Sequence, residues 1–145
     1  MTNKNVEEAL EEYQTRPLGD VKIMMIEDDE FMAKIALQKL SGEGCIPYSV
    51  ADGGEALQMV ETYSPDLIIL DLMLPNMSGE EILRHLKADD ELNVIPVIVF
   101  SNKGDQPDID ANLEAGADRY LVKSSTDLDM LVDVVKEVVA DKVKS

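Results

Sequence analysis

Short apolar runs alternate with longer amphipathic segments along this chain, and the alternation repeats five times. The apolar runs predict β-strands, and positions that recur at helical spacing predict a helix after each strand. The third and fourth helices are expected at about residues 79–87 and 108–115. The strands are expected at residues 21–26, 46–51, 67–70, 95–100 and 119–122. This order favours an α/β fold: a doubly wound five-stranded parallel sheet with helices on both faces.

The first 20 residues precede the first predicted strand. Val6, Leu10 and Tyr13 lie at helical spacing among several glutamates, which indicates a short amphipathic helix. A helix of this length is marginal alone, so it either frays as a tail or docks its apolar stripe on the domain or a partner. We therefore divide the chain into an N-terminal extension, residues 1–20, and one domain, residues 21–145.

Two residues constrain the second predicted strand and its surroundings. Pro47 lacks a backbone N–H group, which predicts an edge position in the sheet or a later start of the strand. Cys45 is the only cysteine of the chain, so it forms no internal disulfide, and a single thiol makes no zinc site. We predict that Cys45 is a small buried apolar residue.

Four of the predicted strands end on reactive polar groups. Glu27 and Asp28 follow the first strand, and Asp71 follows the third. Ser101 follows the fourth strand, and Lys123 follows the fifth. Asp71 alone would be an ordinary solvated residue at the end of a strand. Because the carboxyl ends of parallel strands share one edge of the sheet, however, we expect all five side chains to converge.

Such a cluster has a definite chemistry. Three neighbouring carboxylates repel one another, which raises the pKa of at least one of them unless a cation is bound. Carboxylate oxygens with water and a backbone carbonyl suit Mg²⁺ best. With a lysine and a hydroxyl beside it, the set forms a clamp for a phosphoryl group in transfer. Asp71 is then the natural nucleophile, and its product is an aspartyl phosphate.

Charge excludes some functions. The chain has 30 acidic and 13 basic residues, which gives a formal charge of −17. It therefore repels nucleic acids and anionic membranes, and we expect no direct nucleic-acid binding. No apolar run approaches transmembrane length, and the N-terminus lacks the features of a signal peptide. We expect no membrane insertion and a cytoplasmic location.

Four motifs follow one another at the ends of the predicted strands. They are Ile26-Glu27-Asp28, the segment from Leu70-Asp71 to Ser78-Gly79, Ser101, and the segment from Gly116-Ala117-Asp118 to Lys123. Over about residues 21–142 the chain resembles the receiver domain of two-component response regulators, of the stand-alone single-domain type. The resemblance implies the flavodoxin-like receiver fold with strand order 2-1-3-4-5.

The resemblance also implies a role for each residue of the acidic cluster. Asp71 would be the phosphoacceptor. Asp28 would bind Mg²⁺ directly, and Glu27 would act on it largely through water. The backbone carbonyl of Met73 would be a further protein ligand of the metal.

The remaining site residues would bind the phosphoryl group or change their side-chain positions after phosphorylation. Lys123 would bind a phosphoryl oxygen, Ser101 would swing toward the phosphoryl group, and Tyr120 would change its side-chain position in response. The family usually has a proline after this lysine, joined by a cis bond, where this chain has Ser124. The Lys123–Ser124 bond is therefore either trans, with an altered loop, or cis at a cost of about 3 kcal/mol.

The implied partners are proteins. The phosphoryl donor would be a phosphohistidine on a sensor histidine kinase or a phosphotransfer protein. The downstream target would bind the face formed by helix four, strand five and helix five. The resemblance also allows a homodimer.

The leading hypothesis is a phosphorylation switch that is not an enzyme beyond its own phosphorylation and dephosphorylation. The first alternative is a docking module on the same fold that is never phosphorylated. The second is a Mg²⁺-dependent phosphohydrolase with an aspartyl nucleophile. Such enzymes commonly carry a second acid two residues after the nucleophile, where this chain has Met73.

Overall fold

The computed structural model describes residues 5–8 and 17–144. Residues 17–144 form a five-stranded parallel sheet with the order β2-β1-β3-β4-β5 and five α-helices. The strands are β1 (Lys22–Ile26), β2 (Ile46–Val50), β3 (Leu67–Leu70), β4 (Val97–Ser101) and β5 (Arg119–Val122). The helices are α1 (Glu30–Ser41), α2 (Gly53–Tyr63), α3 (Gly79–Ala88), α4 (Gln106–Glu114) and α5 (Leu128–Lys144), and a 3₁₀ turn spans Lys123–Ser125. The predicted α/β fold and its strand order are confirmed.

Two hydrophobic cores lie on opposite faces of the sheet. Successive side chains of a strand point to opposite faces, so Ile23 and Met25 pack with α1 and α5, while Met24 and Ile26 pack with α2 and α3. The residues of β3 and β4 divide in the same way between the two cores. This burial on both faces explains why the central strands are apolar throughout.

The strand with the proline is an edge strand. β2 pairs only with β1 among the described strands, and Pro47 stands opposite Ile23 in that pairing. The strand begins at Ile46, so the edge position is confirmed and the later start is wrong. The neighbouring Cys45 is a free, buried thiol that packs in the core with α1 and α5, as predicted.

Several predicted boundaries differ from the observed ones by one or two residues, and the two largest differences involve proline. β4 begins at Val97 rather than at Ile95, because Pro96 offers only its carbonyl to the ladder, where it accepts from the amide of Ile68. Helix α4 begins at Gln106 rather than at Asp108. Pro107 lies in its first turn, where a missing N–H group leaves no hydrogen bond unmade.

Residues 17–20 pack against the domain although they precede β1. Leu18 is fully buried in the core that α1 and α5 line, and its amide donates to the carbonyl of Glu43. Residues 6–8 are helical, and Val6 is exposed. The other two positions of the predicted amphipathic stripe, Leu10 and Tyr13, lie outside the described residues. Within the described ranges no helix has both the length and the apolar character of a membrane span.

Candidate functional site

Three carboxylates meet at the carboxyl edge of the sheet. Ile26 and Leu70 are paired across β1 and β3, so the residues that follow them emerge side by side. The backbone continues this alignment, since the amide of Asp71 donates to the carbonyl of Ile26 at 3.0 Å. As a result, oxygens of Glu27, Asp28 and Asp71 all lie within 4.8 Å of one another. Glu27 and Asp71 are buried, whereas Asp28 faces solvent.

Lys123 reaches this cluster from the end of β5. Its Nζ lies 2.5 Å from Oε1 of Glu27 and 3.0 Å from Oδ2 of Asp71. The 3₁₀ turn Lys123–Ser125 follows, and none of the peptide bonds in the described residues is cis. The Lys123–Ser124 bond is therefore trans, and with this bond the lysine still contacts both buried carboxylates.

Burial sets the electrostatics of the cluster. It raises the pKa of Glu27 to about 8, and the neighbouring carboxylate of Asp71 raises it as well, while Lys123 acts in the opposite direction. Burial would also raise the pKa of Asp71, but the neighbouring Glu27, the ammonium group of Lys123 and a hydrogen bond from the amide of Met73 lower it below its ordinary value. Burial would lower the pKa of Lys123, but the two carboxylates raise it. The site therefore offsets its crowded negative charge with the ammonium group of Lys123 and with a raised proton affinity at Glu27.

The donor set fits a divalent cation. Oε2 of Glu27 is buried and has no hydrogen-bond partner among the described residues. An orphaned buried carboxylate oxygen is costly, and a bound cation would satisfy it and displace any proton from Glu27. Asp28 leaves the cluster open to solvent on one side, which suits an ion that keeps several of its waters. The cluster of three carboxylates could therefore hold a metal ion.

Met73 lies beside the same carboxylate through its main chain. Its amide donates to Oδ1 of Asp71 at 3.2 Å, while its side chain is 55% exposed. One carboxylate oxygen of Asp71 thus accepts from a backbone amide, and the other accepts from the ammonium group of Lys123.

The side chains of Ser101 and Tyr120 both bond the backbone of Lys103, which lies in the loop between β4 and α4. Ser101 is fully buried, and its Oγ accepts from the amide of Lys103 at 3.4 Å. The hydroxyl of Tyr120, which is half-buried, donates to the carbonyl of the same Lys103 at 2.6 Å. Both predicted switch residues therefore hold one stretch of backbone.

The sequence reasoning missed two polar pairs that brace the loops around the site. Lys103 Nζ forms an ion pair with Oε1 of Glu80 at 3.0 Å, which joins the β4–α4 loop to the first turn of α3. Asn76 Nδ2 donates to Oδ2 of Asp52 at 2.8 Å, which joins the β3–α3 loop to the start of α2. Asp52 before a Gly-Gly pair is an N-cap signal, but nothing in the sequence named its second partner.

A family model described as the response regulator receiver domain matches residues 23–136. The chain belongs to the response regulator receiver domain family. The resemblance to response regulator receiver domains that was inferred from the four motifs is confirmed. Receiver domains are the phosphoaccepting part of two-component phosphorelay signalling, and sensor histidine kinases are their partners.

Relatives with sequences and structures agree with this family. The chain is 38% identical over 102 residues to the DNA-binding response regulator MtrA of Mycolicibacterium smegmatis, an alignment of 70% of this chain and 43% of MtrA. It thus spans less than half the length of that curated relative.

Two solved receiver structures superpose well. A CheY-like receiver domain protein from Methanospirillum hungatei has a TM-score of 0.79 and 27% identity, over 87% of this chain and 98% of that one. The phosphorylated cyanobacterial phytochrome response regulator RcpA has a TM-score of 0.71 and 31% identity, over 83% of this chain and 91% of that one.

Proposed function

We propose that Asp71 accepts a phosphoryl group and that this modification changes how the protein binds its partners. The observation that carries the proposal is the convergence of Asp71 with two further carboxylates and Lys123 at the carboxyl edge of the sheet. Buried acids grouped around a lysine are costly without a use, and phosphoryl transfer is the chemistry that this family performs.

The donor in this proposal is a phosphohistidine on a sensor histidine kinase or a phosphotransfer protein. A carboxylate oxygen of Asp71 attacks phosphorus, the P–N bond breaks, and its electron pair stays with the imidazole nitrogen. The low pKa of Asp71 keeps this carboxylate ionised for the attack. Lys123 lies 3.0 Å from Oδ2 of Asp71, where its ammonium can neutralise a phosphoryl oxygen as the new O–P bond forms.

The proposed metal is Mg²⁺. Asp28, Asp71 and the backbone carbonyl of Met73 would hold it directly, and Glu27 would act on it largely through water. When bound, Mg²⁺ supplies positive charge to the carboxylates and to the phosphoryl oxygens. The orphaned Oε2 of Glu27 supports a cation at this position.

We propose that Ser101 and Tyr120 carry the response away from the site. Ser101 would move its hydroxyl toward the phosphoryl group and release the amide of Lys103. Tyr120 would respond because its hydroxyl bonds the carbonyl of the same Lys103. The face formed by α4, β5 and α5 would then present a changed surface to a downstream protein.

We further propose a receiver unit over residues 21–145, preceded by an extension over residues 1–20, that acts on proteins. The MtrA relative is named as a DNA-binding protein, but the alignment with this chain covers 43% of MtrA. The charge of −17 supports protein partners for this chain. A methionine at position 73, in place of a second acid, supports a regulator without a phosphohydrolase activity.

Intact mass spectrometry after incubation with acetyl phosphate and Mg²⁺ tests the proposal. We expect the wild-type chain to gain one phosphoryl group, and we expect no gain in Asp71→Asn or in the presence of excess EDTA. A folded wild-type chain that gains nothing from acetyl phosphate or from histidine kinases would favour the docking module. Turnover of an added phosphomonoester would instead favour the phosphohydrolase.

A further inference from the structure

The loops that precede α2 and α3 are joined by one carboxylate. Oδ1 of Asp52 accepts from the amide of Gly54 at 2.7 Å and so caps α2. Oδ2 of Asp52 accepts from Nδ2 of Asn76 at 2.8 Å. We call this second contact the Asp52–Asn76 clip. It connects the start of α2 to the loop that carries Met73, although 24 positions separate the two residues.

The backbones of the two loops lie in contact around the clip. The amide of Gly53 donates to the carbonyl of Pro75 at 3.1 Å, and a Cβ at position 53 would overlap the carbonyl of Met77. Asn76 itself has φ of 69°, a left-handed conformation that asparagine and aspartate tolerate better than most residues. The clip therefore holds the β3–α3 loop at Asn76, the residue of this loop that has a positive φ.

The far end of the same loop is also fixed. The amide of Gly79 donates to the carbonyl of Leu72 at 3.0 Å, and a Cβ at position 79 would overlap the carbonyl of Asp71. Met73 lies between these two fixed points, and its amide bonds Oδ1 of Asp71. The orientation of the Met73 peptide groups thus depends on how the loop is held at both ends.

We propose that Asp52 and Asn76 are a positioning pair for the metal site. Through the clip they hold the β3–α3 loop so that the main chain of Met73 faces Asp71 and the bound cation. The inference rests on the proposed function, since it takes the acidic cluster as a Mg²⁺ site. Groups that orient metal ligands influence affinity strongly, because a misplaced ligand must be reordered when the ion binds.

An exchange of the two side-chain types tests the clip. Asn76→Asp places a second carboxylate opposite Asp52, so the hydrogen bond is replaced by repulsion. We expect Mg²⁺ affinity to fall about tenfold, at the lower end of the range for outer-shell groups. Added negative charge acting through space would instead tighten Mg²⁺ binding, so the sign of the change separates positioning from charge.

Two further variants complete the exchange. In Asp52→Asn the amide of Asn76 can turn to present its oxygen, so we expect affinity within about twofold of wild type. In the double variant Asp52→Asn/Asn76→Asp, the new asparagine donates to the new aspartate. The double variant should recover the affinity that Asn76→Asp alone has lost.

Isothermal titration with Mg²⁺ at a temperature where every variant is folded gives the affinities, and thermal unfolding gives the stabilities. Asp89→Ala is the matched control, because it removes side-chain bonds to the amides of Glu91 and Leu92 beyond the other end of α3. It should lower stability without changing Mg²⁺ affinity.

Unchanged or tighter Mg²⁺ binding in Asn76→Asp would overturn the positioning role. So would failure of the double variant to recover affinity. A wild-type chain that binds Mg²⁺ but takes no phosphoryl group would contradict the proposed function alone, because the affinities still measure the clip. A wild-type chain that binds no Mg²⁺ would contradict both.

Discussion

The ammonium group of Lys123 lies 3.0 Å from Oδ2 of Asp71. The same nitrogen contacts Oε1 of Glu27, so one largely buried cation bridges two buried carboxylates. A buried charge left without its partner is strongly destabilising, whereas a satisfied set is tolerated. Lys123 therefore serves the stability of the site as well as its proposed chemistry.

Replacing Lys123 by methionine should separate these two roles. The variant keeps much of the side-chain volume but leaves Glu27 and Asp71 without their cation. We expect a loss of about 1.5–3 kcal/mol in the free energy of unfolding, a range typical of a lost hydrogen bond to a charged group. Mg²⁺ should recover part of this loss, because it supplies the missing positive charge. Urea unfolding with and without Mg²⁺ measures both effects, and a variant as stable as wild type would contradict the bridging role.

Mg²⁺ should also stabilise the wild-type protein. With a dissociation constant of about 1 mM, about 10 mM Mg²⁺ adds about 1.4 kcal/mol by mass action. This corresponds to a rise of about 4 °C in the unfolding midpoint of a domain of this size. Because the chain carries −17 charges, any salt screens its self-repulsion, so NaCl at equal ionic strength is the control. Asp28→Asn should abolish the part specific to Mg²⁺, and equal shifts in both salts would argue against a metal site.

Gly79 should tolerate no side chain. A Cβ there would overlap the carbonyl of Asp71 and crowd Cα of Leu72, and both are backbone atoms that cannot move aside. We expect Gly79→Ala to cost about 3 kcal/mol of stability, as overpacked positions do. Gly104→Ala is the matched control, since its Cβ would lie 3.3 Å from a Val122 methyl group. Similar unfolding midpoints for the two variants would show that the loop can shift.

Tyr120→Phe should loosen the β4–α4 loop without blocking phosphorylation. The change removes the bond to the carbonyl of Lys103, worth about 1 kcal/mol in a typical case. We expect faster amide exchange around residues 102–106 and an unchanged rate of phosphorylation by acetyl phosphate. Exchange that is unchanged throughout this loop would mean that the tyrosine does not hold it.

Cys45 should be nearly inert in the native protein. The residue is buried, and burial raises the pKa of its thiol, so the reactive thiolate is scarce. We expect labelling by a thiol reagent to be at least about 100-fold slower in the folded protein than in urea, because labelling requires local opening. Comparable rates in the two conditions would contradict the burial of this residue.

The sequence was most informative where one physical rule decides the outcome. Leu67–Leu70 is apolar at every position because both faces of β3 are covered. The strand could therefore be predicted from its uninterrupted apolar run. The parallel arrangement then brought Glu27, Asp71 and Lys123 to one edge, as expected from the strand ends.

Other features depend on tertiary contacts that leave no local pattern. Leu18 lies in a short Pro-Leu-Gly segment with no hydrophobic periodicity, yet it is fully buried in the core that α1 and α5 line. The Asp52–Asn76 clip and the Lys103–Glu80 ion pair join polar residues that are ordinary in loops and at helix starts. Only the folded arrangement selects their partners.

The residue that carries the phosphoryl group can be identified on the chain by chemical reduction. Borohydride reduces an acyl phosphate to the alcohol, so phosphorylated aspartate is converted to homoserine. After treatment with acetyl phosphate, Mg²⁺ and borohydride, peptide sequencing by mass spectrometry should find homoserine at position 71 and at no other acidic residue. Homoserine at Asp28 or another aspartate, or the corresponding longer alcohol at Glu27, with Asp71 intact, would contradict phosphorylation of Asp71.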